Sequence, residues 1–166
     1  HLSSDWSPEE FCRRVNCELP AGIRFLKAVV VPDSAPKLMA VVDRASYVCT
    51  PMAVLGSDGP EPLPEDLGEV LMRESERLMH ESTILVERTR KGEAKVVDLR
   101  PLVYGIAVSI SAKPQVELDV ASGSRGNVRP EEILNLFSRQ LIWQVHRTGL
   151  YVTREGTRTS PMEVEV

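Results

Sequence analysis

Glycines and arginines in one loop form the residue pattern in this chain that is best suited to chemistry, namely the binding of an anion. Segment 122–130 precedes a predicted helix that begins at Pro130. Glycine lets a backbone approach a ligand, helix N–H groups attract anions, and arginine binds phosphate through two bonds. A plain connecting loop is the alternative, because Glu131 and Glu132 already lie at the positive helix end. The candidate residues are Gly123, Arg125, Gly126 and Arg129.

Asp98 and Arg100 are two residues apart, so an extended chain places both side chains on one face, within reach of each other. An arginine held by a carboxylate can present a rigid fork to phosphate. The competing interpretation makes Asp98 a structural partner of Arg100 that fixes a kink before Pro101. Both interpretations stay open at the level of sequence.

Further basic residues are candidates for contact with RNA. The segment from Arg88 to Lys95, including Lys91, is either such a contact or a solvated hairpin tip, and Arg147 is either a turn residue or a ligand residue. Bases need aromatic side chains on which to stack. Three aromatic residues are available, but their alternation in predicted strands favours core packing: Tyr104, Trp143 and Tyr151.

Cysteine and histidine spacing predicts neither a metal site nor a catalytic centre. Cys12 and Cys17 are five residues apart and Cys49 is remote, whereas an iron–sulfur cluster held by three cysteines needs closely spaced thiols such as Cys-x3-Cys-x2-Cys. These cysteines are interpreted as structural thiols. His1, His80 and His146 have no partner at ligand spacing, and His80 is expected to be a cation at a helix C-terminus. No acid/base pair or nucleophile stands out.

The charge of the chain is segregated along its length. The 166 residues carry a net charge of −4 with a pI near 5.5, which argues against bulk electrostatic binding of nucleic acid. Segment 53–81 is acidic, while 82–100 and 122–158 are basic. With three cysteines, no secretory segment and no membrane-length apolar run, we expect a cytoplasmic protein.

The stretch 82–111 organises the predicted fold. Alternation predicts two strands joined by a turn in which Gly92 has positive φ, then the kink and a third strand whose bulky face includes Tyr104 and Ile106. Segment 64–80 has apolar residues at helical spacing, with acidic residues in its first turns and basic residues in its last. These two patterns predict a long helix over 64–80. Further strands are predicted at 45–52, 115–120 and 141–152. A loop is predicted at 56–64, and the chain from Gly156 onward is predicted to be loosely ordered.

The N-terminal part is predicted to be the tail of an upstream unit. Ser7, with Pro8 and Glu10, predicts a helix start with a capping box. Residues 23–31 are predicted to form a strand that ends at Pro32. We therefore predict an α+β chain, with a helix–strand remnant at 1–35 and a ferredoxin-like split βαβ sheet at 36–166, its helices on one face.

Several motifs resemble the radical SAM-linked domain family, a bacterial domain of unknown function found beside or fused to radical SAM proteins. They occur in the order of the family, and the match covers its later part, without the opening half that carries an Asn-Pro-His-Pro-type stretch. The resembling segments are 19–26 (LPAGIRFL), 46–47 (SY), 87–101 with VVDLRP, 123–132 with VRPEE, and 146–151 (HRTGLY).

The resemblance implies an accessory domain of a radical SAM-associated protein. Together with the charge segregation and the lack of a visible catalytic set, it leads us to expect a non-catalytic domain that binds RNA or presents a substrate. A radical SAM core, in the same polypeptide or a neighbour, would hold the iron–sulfur cluster and S-adenosylmethionine, and this chain would hold no cofactor. The setting implied is RNA maturation or modification, with tRNA or rRNA as partner and no membrane. The alternative is a protein-docking module in which the acidic helix or the sheet face binds the radical SAM enzyme.

Overall fold

The computed structural model describes residues 6–138 and 140–163, with the side chain of Arg90 left aside. The elements in chain order are α1 (Pro8–Glu18), α2 (Leu38–Val41), β1 (Arg44–Gly56), β2 (Gly59–Glu61), α3 (Leu67–His80), β3 (Leu85–Arg90), β4 (Glu93–Asp98), a 3-10 turn (Arg100–Leu102), β5 (Val103–Ile110), β6 (Pro114–Ala121), α4 (Pro130–Leu134), β7 (Leu141–Arg154) and β8 (Thr157–Thr159). The predicted α+β class is confirmed.

The main sheet is antiparallel and has the order β5-β6-β1-β7-β8, with β2 folded back on β1. Strands β3 and β4 form a separate hairpin between α3 and the 3-10 turn. Its turn has the predicted positive φ at Gly92 (84°) and a second one at Lys91 (53°). Two successive positive φ values match the twist of a two-residue hairpin.

One hydrophobic core joins α3, α4 and a single face of the main sheet. In β6 the side chains of Val116, Leu118 and Val120 are buried, because a strand turns every second residue to the same side. The intervening residues Glu117 and Asp119 therefore lie on the opposite side, which we call the open face. No helix among the described residues has the length and apolar character needed to cross a lipid bilayer.

Strand β5 departs from simple alternation. The pairing with β6 shifts register between Val103 and Gly105, which is a β-bulge. Val103 and Ile106 are both buried, and Tyr104 is 44% exposed. The expectation that Tyr104 packs in the core is therefore wrong, because the extra residue in the bulge turns its ring outward.

Residues 23–31 do not form the predicted strand, so helix α1 is followed by an irregular segment. Leu26 and Val30 are 88% and 81% exposed. The backbone N–H and C=O of Phe25 bond to the side-chain amide of Asn16, at 2.7 and 2.9 Å. An isolated amide satisfies one residue, whereas a strand needs a continuous neighbour.

The chain ends differ from prediction in smaller ways. Ser7 caps α1 as predicted, with its Oγ accepting a bond from the N–H of Glu10 at 3.2 Å. The Glu10 carboxylate, expected to complete a capping box, binds Arg13 and Arg14. The predicted loop at 56–64 contains β2, and the end predicted as loose contains β8. His1 and residues 164–166 lie outside the described residues.

Candidate functional site

The loop 122–127 closes over its own chain. Gly123 has a φ of 127°, and a Cβ on it would meet the carbonyl oxygen of Val42. A Cβ on Gly126 would lie 2.7 Å from the side chain of Leu102. Gly123 is therefore required for packing within the protein, whereas the end of the Leu102 side chain could move to make room for a Cβ on Gly126.

Arg125 is held by Asp43, which lies just before β1. Its Nη2 donates to Asp43 Oδ2 at 3.0 Å, while Asp43 Oδ1 accepts bonds from the N–H and the hydroxyl of Thr153. Asp43 is thereby fixed from the opposite side. The Arg125 side chain remains 74% exposed, so its guanidinium is oriented but accessible.

A hollow of about 310 Å³ lies between this loop and strand β5. We call it the Tyr104 cleft. Leu102 and Tyr104 line one side, Ser122, Arg125 and Gly126 line the loop side, and Asp43 lies between them. The cleft combines an aromatic ring, an apolar wall and an exposed arginine. Asp43 balances the charge of Arg125 within the cleft, so these groups suit a planar ligand whose polar end can contact the exposed guanidinium.

The open face beside this cleft carries a cluster that the sequence analysis missed. Arg44 in β1 donates from Nε and Nη2 to the two carboxylate oxygens of Asp119 in β6, at 2.5 and 2.6 Å. Its guanidinium carbon lies 4.3 Å from the ring centroid of Tyr104, which is a cation–π contact. Arg158 in β8 also contacts Asp119 Oδ2, at 2.7 Å.

Two guanidinium groups therefore share one carboxylate, which leaves this cluster with a net positive charge. The bonds to Asp119 raise the pKa of Arg44, so Arg44 stays charged. The outward position of Asp119 follows from alternation in β6, since its neighbours Leu118 and Val120 are core residues. The register of β1 on β6, which brings Arg44 opposite Ala121 and beside Asp119, is a long-range feature that the sequence pattern does not contain.

Arg88 and Arg129 line a different hollow, between the β3–β4 hairpin and α4. Arg88 binds Glu132 through two bonds of 2.7 Å, and its Nη2 also donates to the carbonyl of Asn127. Arg129 is exposed, and its backbone N–H donates to Glu132 Oε2. The basic side chains here, Lys95 among them, are matched by three glutamates of the same hollow, so it has no excess positive charge: Glu87, Glu131 and Glu132.

Arg100 is a structural residue. Its guanidinium donates to the carbonyls of Met79, Glu81 and Val103, at 2.9 to 3.1 Å. Asp98 does not hold this guanidinium as expected: its Oδ1 accepts the backbone N–H groups of Ile84 and Arg100. The kink at Pro101 is stabilised by these backbone bonds, which agrees with the structural role predicted for Asp98 and Pro101.

The candidate residues thus do not converge on one surface. Arg125 and Gly126 line the Tyr104 cleft and Gly123 lies in the same loop, while Arg88 and Arg129 line the hollow between the hairpin and α4. Lys91 is exposed at the hairpin tip. The interpretation of Arg147 as a turn residue is wrong, because Arg147 lies within strand β7, where it is exposed and pairs with Tyr47 of β1. Of these candidates, Arg125 and the two glycines of its loop are the ones next to Tyr104 and Arg44.

The thiols and imidazoles are dispersed. Cys49 is fully buried in the core, and burial, reinforced by the charge of Glu131, raises its pKa to about 12. Cys12 and Cys17 lie on α1. His80 is the last residue of α3, as predicted, and His146 is exposed on β7. Among the described residues, no group of three or more histidine, cysteine or acidic side chains is placed to hold a metal ion.

Fold and site together define an α+β protein with a cleft lined by an aromatic ring and an arginine. The model of a family described as an uncharacterized protein conserved in bacteria (DUF2344) matches residues 1–130. The chain belongs to this bacterial family. No curated protein and no solved structure matches it.

Proposed function

We propose that this chain is a non-catalytic accessory domain that binds single-stranded RNA on the open face of its sheet. The observation that carries the proposal is the exposed ring of Tyr104 with Arg44 stacked on it and Arg158 beside it. Bases of single-stranded RNA stack on aromatic rings and on arginine planes, while arginines bind the phosphates.

The finer fold assignment is part of the same proposal. We assign β1-α3-β5-β6-α4-β7 to a ferredoxin-like split βαβ unit into which the β3–β4 hairpin is inserted. In support, the four strands have the order β5-β6-β1-β7, all neighbours are antiparallel, and the helices share one core with a single sheet face. A four-stranded sheet with one helix-free face is a common platform for RNA.

The partner proposed for this domain is a radical SAM protein active in RNA modification or maturation, in the same polypeptide or a neighbour. This proposal rests on the sequence resemblance. The cysteines of the chain do not fit an iron–sulfur cluster, because Cys49 is buried with a raised pKa and Cys12 and Cys17 lack the cluster spacing. Any cluster and S-adenosylmethionine would therefore be held by the partner, and this chain would position the RNA.

Binding of a fluorescein-labelled polyuridylate of about ten nucleotides, followed by fluorescence anisotropy, tests the proposal. Arg158→Ala should weaken binding, because it removes a phosphate contact without opening the core. Arg13→Ala is the matched control, since Arg13 is also exposed and paired with a carboxylate but lies on α1. Because the proposed phosphate contacts are Arg44, Arg125 and Arg158, the salt dependence should be shallow, with a logarithmic slope of about −2.

Absence of binding by the wild-type chain at about 50 mM salt would refute the RNA proposal. Equal loss of affinity in Arg158→Ala and Arg13→Ala would remove the open face as the binding surface. A slope much steeper than about −2 would point to phosphate contacts spread far beyond these arginines.

A second candidate function is docking to the radical SAM protein, and it is favoured by the exposed apolar residues of segment 23–39. Leu26 and Val30 are the most exposed, and Met39 is 68% exposed. A concentration of exposed apolar side chains in one segment is typical of protein interfaces. The other large apolar residues exposed in this segment are Ile23, Phe25, Val29, Val31 and Leu38.

Docking is tested with the purified radical SAM protein as the probe. Leu26→Ser combined with Val30→Ser should abolish co-elution, and the interaction of the wild-type chain should persist at high salt. Leu85→Ser is the control, because Leu85 is also exposed, at 58%, but lies on the hairpin. Co-elution that survives the double substitution would exclude this segment as the docking surface.

A further inference from the structure

The Tyr104 cleft adjoins the open face and has features of its own. Its volume of about 310 Å³ is at the lower end of the range of about 300–1,000 Å³ that is usual for small-ligand sites. Its aromatic wall comes from the bulge in β5, and its polar wall comes from the loop after β6. Such a cleft accommodates a single planar group and not a continuous strand.

We propose that the Tyr104 cleft binds one unpaired nucleotide of the RNA, with the base against Tyr104 and Leu102 and the phosphate against Arg125. This inference rests on the proposed RNA binding and specifies where a single nucleotide is recognised. It names Leu102 of the 3-10 turn, Tyr104 of β5 and Arg125 of the loop after β6, which line the same cleft.

The ring of Tyr104 determines how the base lies. Arg44 covers one face of the ring at 4.3 Å, so only the other face and the ring edge are left for stacking. A stacked base on that side extends the series arginine–tyrosine–base. The position of the Arg44 plane is set by its two bonds to Asp119, so the ring is supported before the ligand arrives.

The position of Arg125 suits the phosphate of the same nucleotide. A guanidinium has five N–H donors, and the bond to Asp43 uses one of them. Because Asp43 is itself anchored by Thr153, the guanidinium of Arg125 is already oriented. Little side-chain entropy is therefore lost when it binds phosphate. Phosphate binding therefore needs no large rearrangement of the loop.

Only an unpaired nucleotide can enter. A base inside a duplex is already stacked on both faces and paired along its edge, so it has no free face with which to stack on Tyr104. The cleft should consequently discriminate single strands from duplexes, even though the neighbouring arginines attract both. The sequence preference is expected to be small, because every base has a face that stacks.

The test measures the affinity of Tyr104→Ala, Arg125→Ala and the double variant for the labelled polyuridylate and for an RNA duplex of the same length. Each single variant should weaken binding of the single strand by about tenfold, and Tyr104→Phe should restore it. If both side chains hold the same nucleotide, the double variant should lose less than the product of the single losses. Ile110→Ala and Arg13→Ala are controls, because Ile110 is also exposed on β5 and Arg13 is also an exposed paired arginine.

Several outcomes separate this inference from the proposed function. If the wild type binds RNA and both cleft variants behave like the controls, RNA lies elsewhere on the open face and the nucleotide site is refuted. Multiplicative losses in the double variant, or equal affinity for the duplex, also refute it. No binding by the wild type refutes the RNA function itself. Thermal unfolding of each variant identifies any loss that comes from misfolding.

Discussion

Arg88 in β3 and Glu132 in α4 form a two-point ion pair, with Nε–Oε1 and Nη2–Oε2 distances of 2.7 Å. The pair ties the β3–β4 hairpin, which has no strand neighbour in the main sheet, to the helix that covers the core. Burial raises the pKa of Glu132. The bond from Arg88, the bond from the N–H of Arg129 and the charges of both arginines lower it, and together they outweigh the effect of burial. Glu132 therefore has a net lowered pKa.

Arg88→Ala should reduce the free energy of unfolding by about 1–3 kcal/mol, because it leaves the carboxylate of Glu132, only 15% exposed, without its charged partner. The midpoint of urea unfolding measures this change. Arg13→Ala provides the comparison: the Arg13–Glu10 pair is on the surface, and its loss should leave the midpoint unchanged. Equal midpoints for the two variants would show that the Arg88 pair does not stabilise the fold.

The Arg88–Glu132 pair should also make stability depend on pH. A carboxyl group whose pKa is lower in the folded chain contributes stability above its unfolded pKa near 4.5, and this is lost as the pH falls through the folded value. The difference in unfolding free energy between wild type and Glu132→Gln should be constant above about pH 5.5 and shrink below about pH 4.5. A difference that grows on acidification would contradict the lowered pKa.

Cys49 should be unreactive in the folded protein. Its side chain is fully buried and its pKa is raised to about 12, so almost no thiolate is present at about pH 8. Mass spectrometry after brief iodoacetamide treatment should find Cys17, which is exposed, alkylated and Cys49 intact. Alkylation of Cys49 should appear on addition of urea. Rapid reaction under native conditions would mean that the core opens readily.

Gly123→Ala should destabilise the chain by at least about 2 kcal/mol, because it combines an unfavourable φ of 127° with a collision against the carbonyl of Val42. Gly22→Ala is the matched control: its φ is 91°, but no atom lies within 4 Å of the added Cβ, so only backbone strain of about 1 kcal/mol is expected. Thermal unfolding of both variants measures the difference. Equal losses would show that the packing of the loop against Val42 contributes nothing.

Local sequence patterns predicted elements whose signals lie within a few residues. The helix at Leu67–His80, the strand at Pro114–Ala121 and the positive φ at Gly92 are confirmed, because periodicity and turn chemistry are short-range properties. The Ser7 cap is confirmed for the same reason. The prediction of a strand at 23–31 was wrong. A strand needs a neighbouring backbone, and among the described residues this segment finds the side-chain amide of Asn16 instead.

By itself, the sequence determined the α+β class, most element positions and the presence of basic residues. Tertiary structure decided what those residues contact: Arg100 binds carbonyls, Arg88 binds Glu132, and Arg44 joins Tyr104 and Asp119 across three strands. A single-residue bulge turned Tyr104 outward. Pairing and register are set by contacts between distant segments, and alternation along one strand cannot report them.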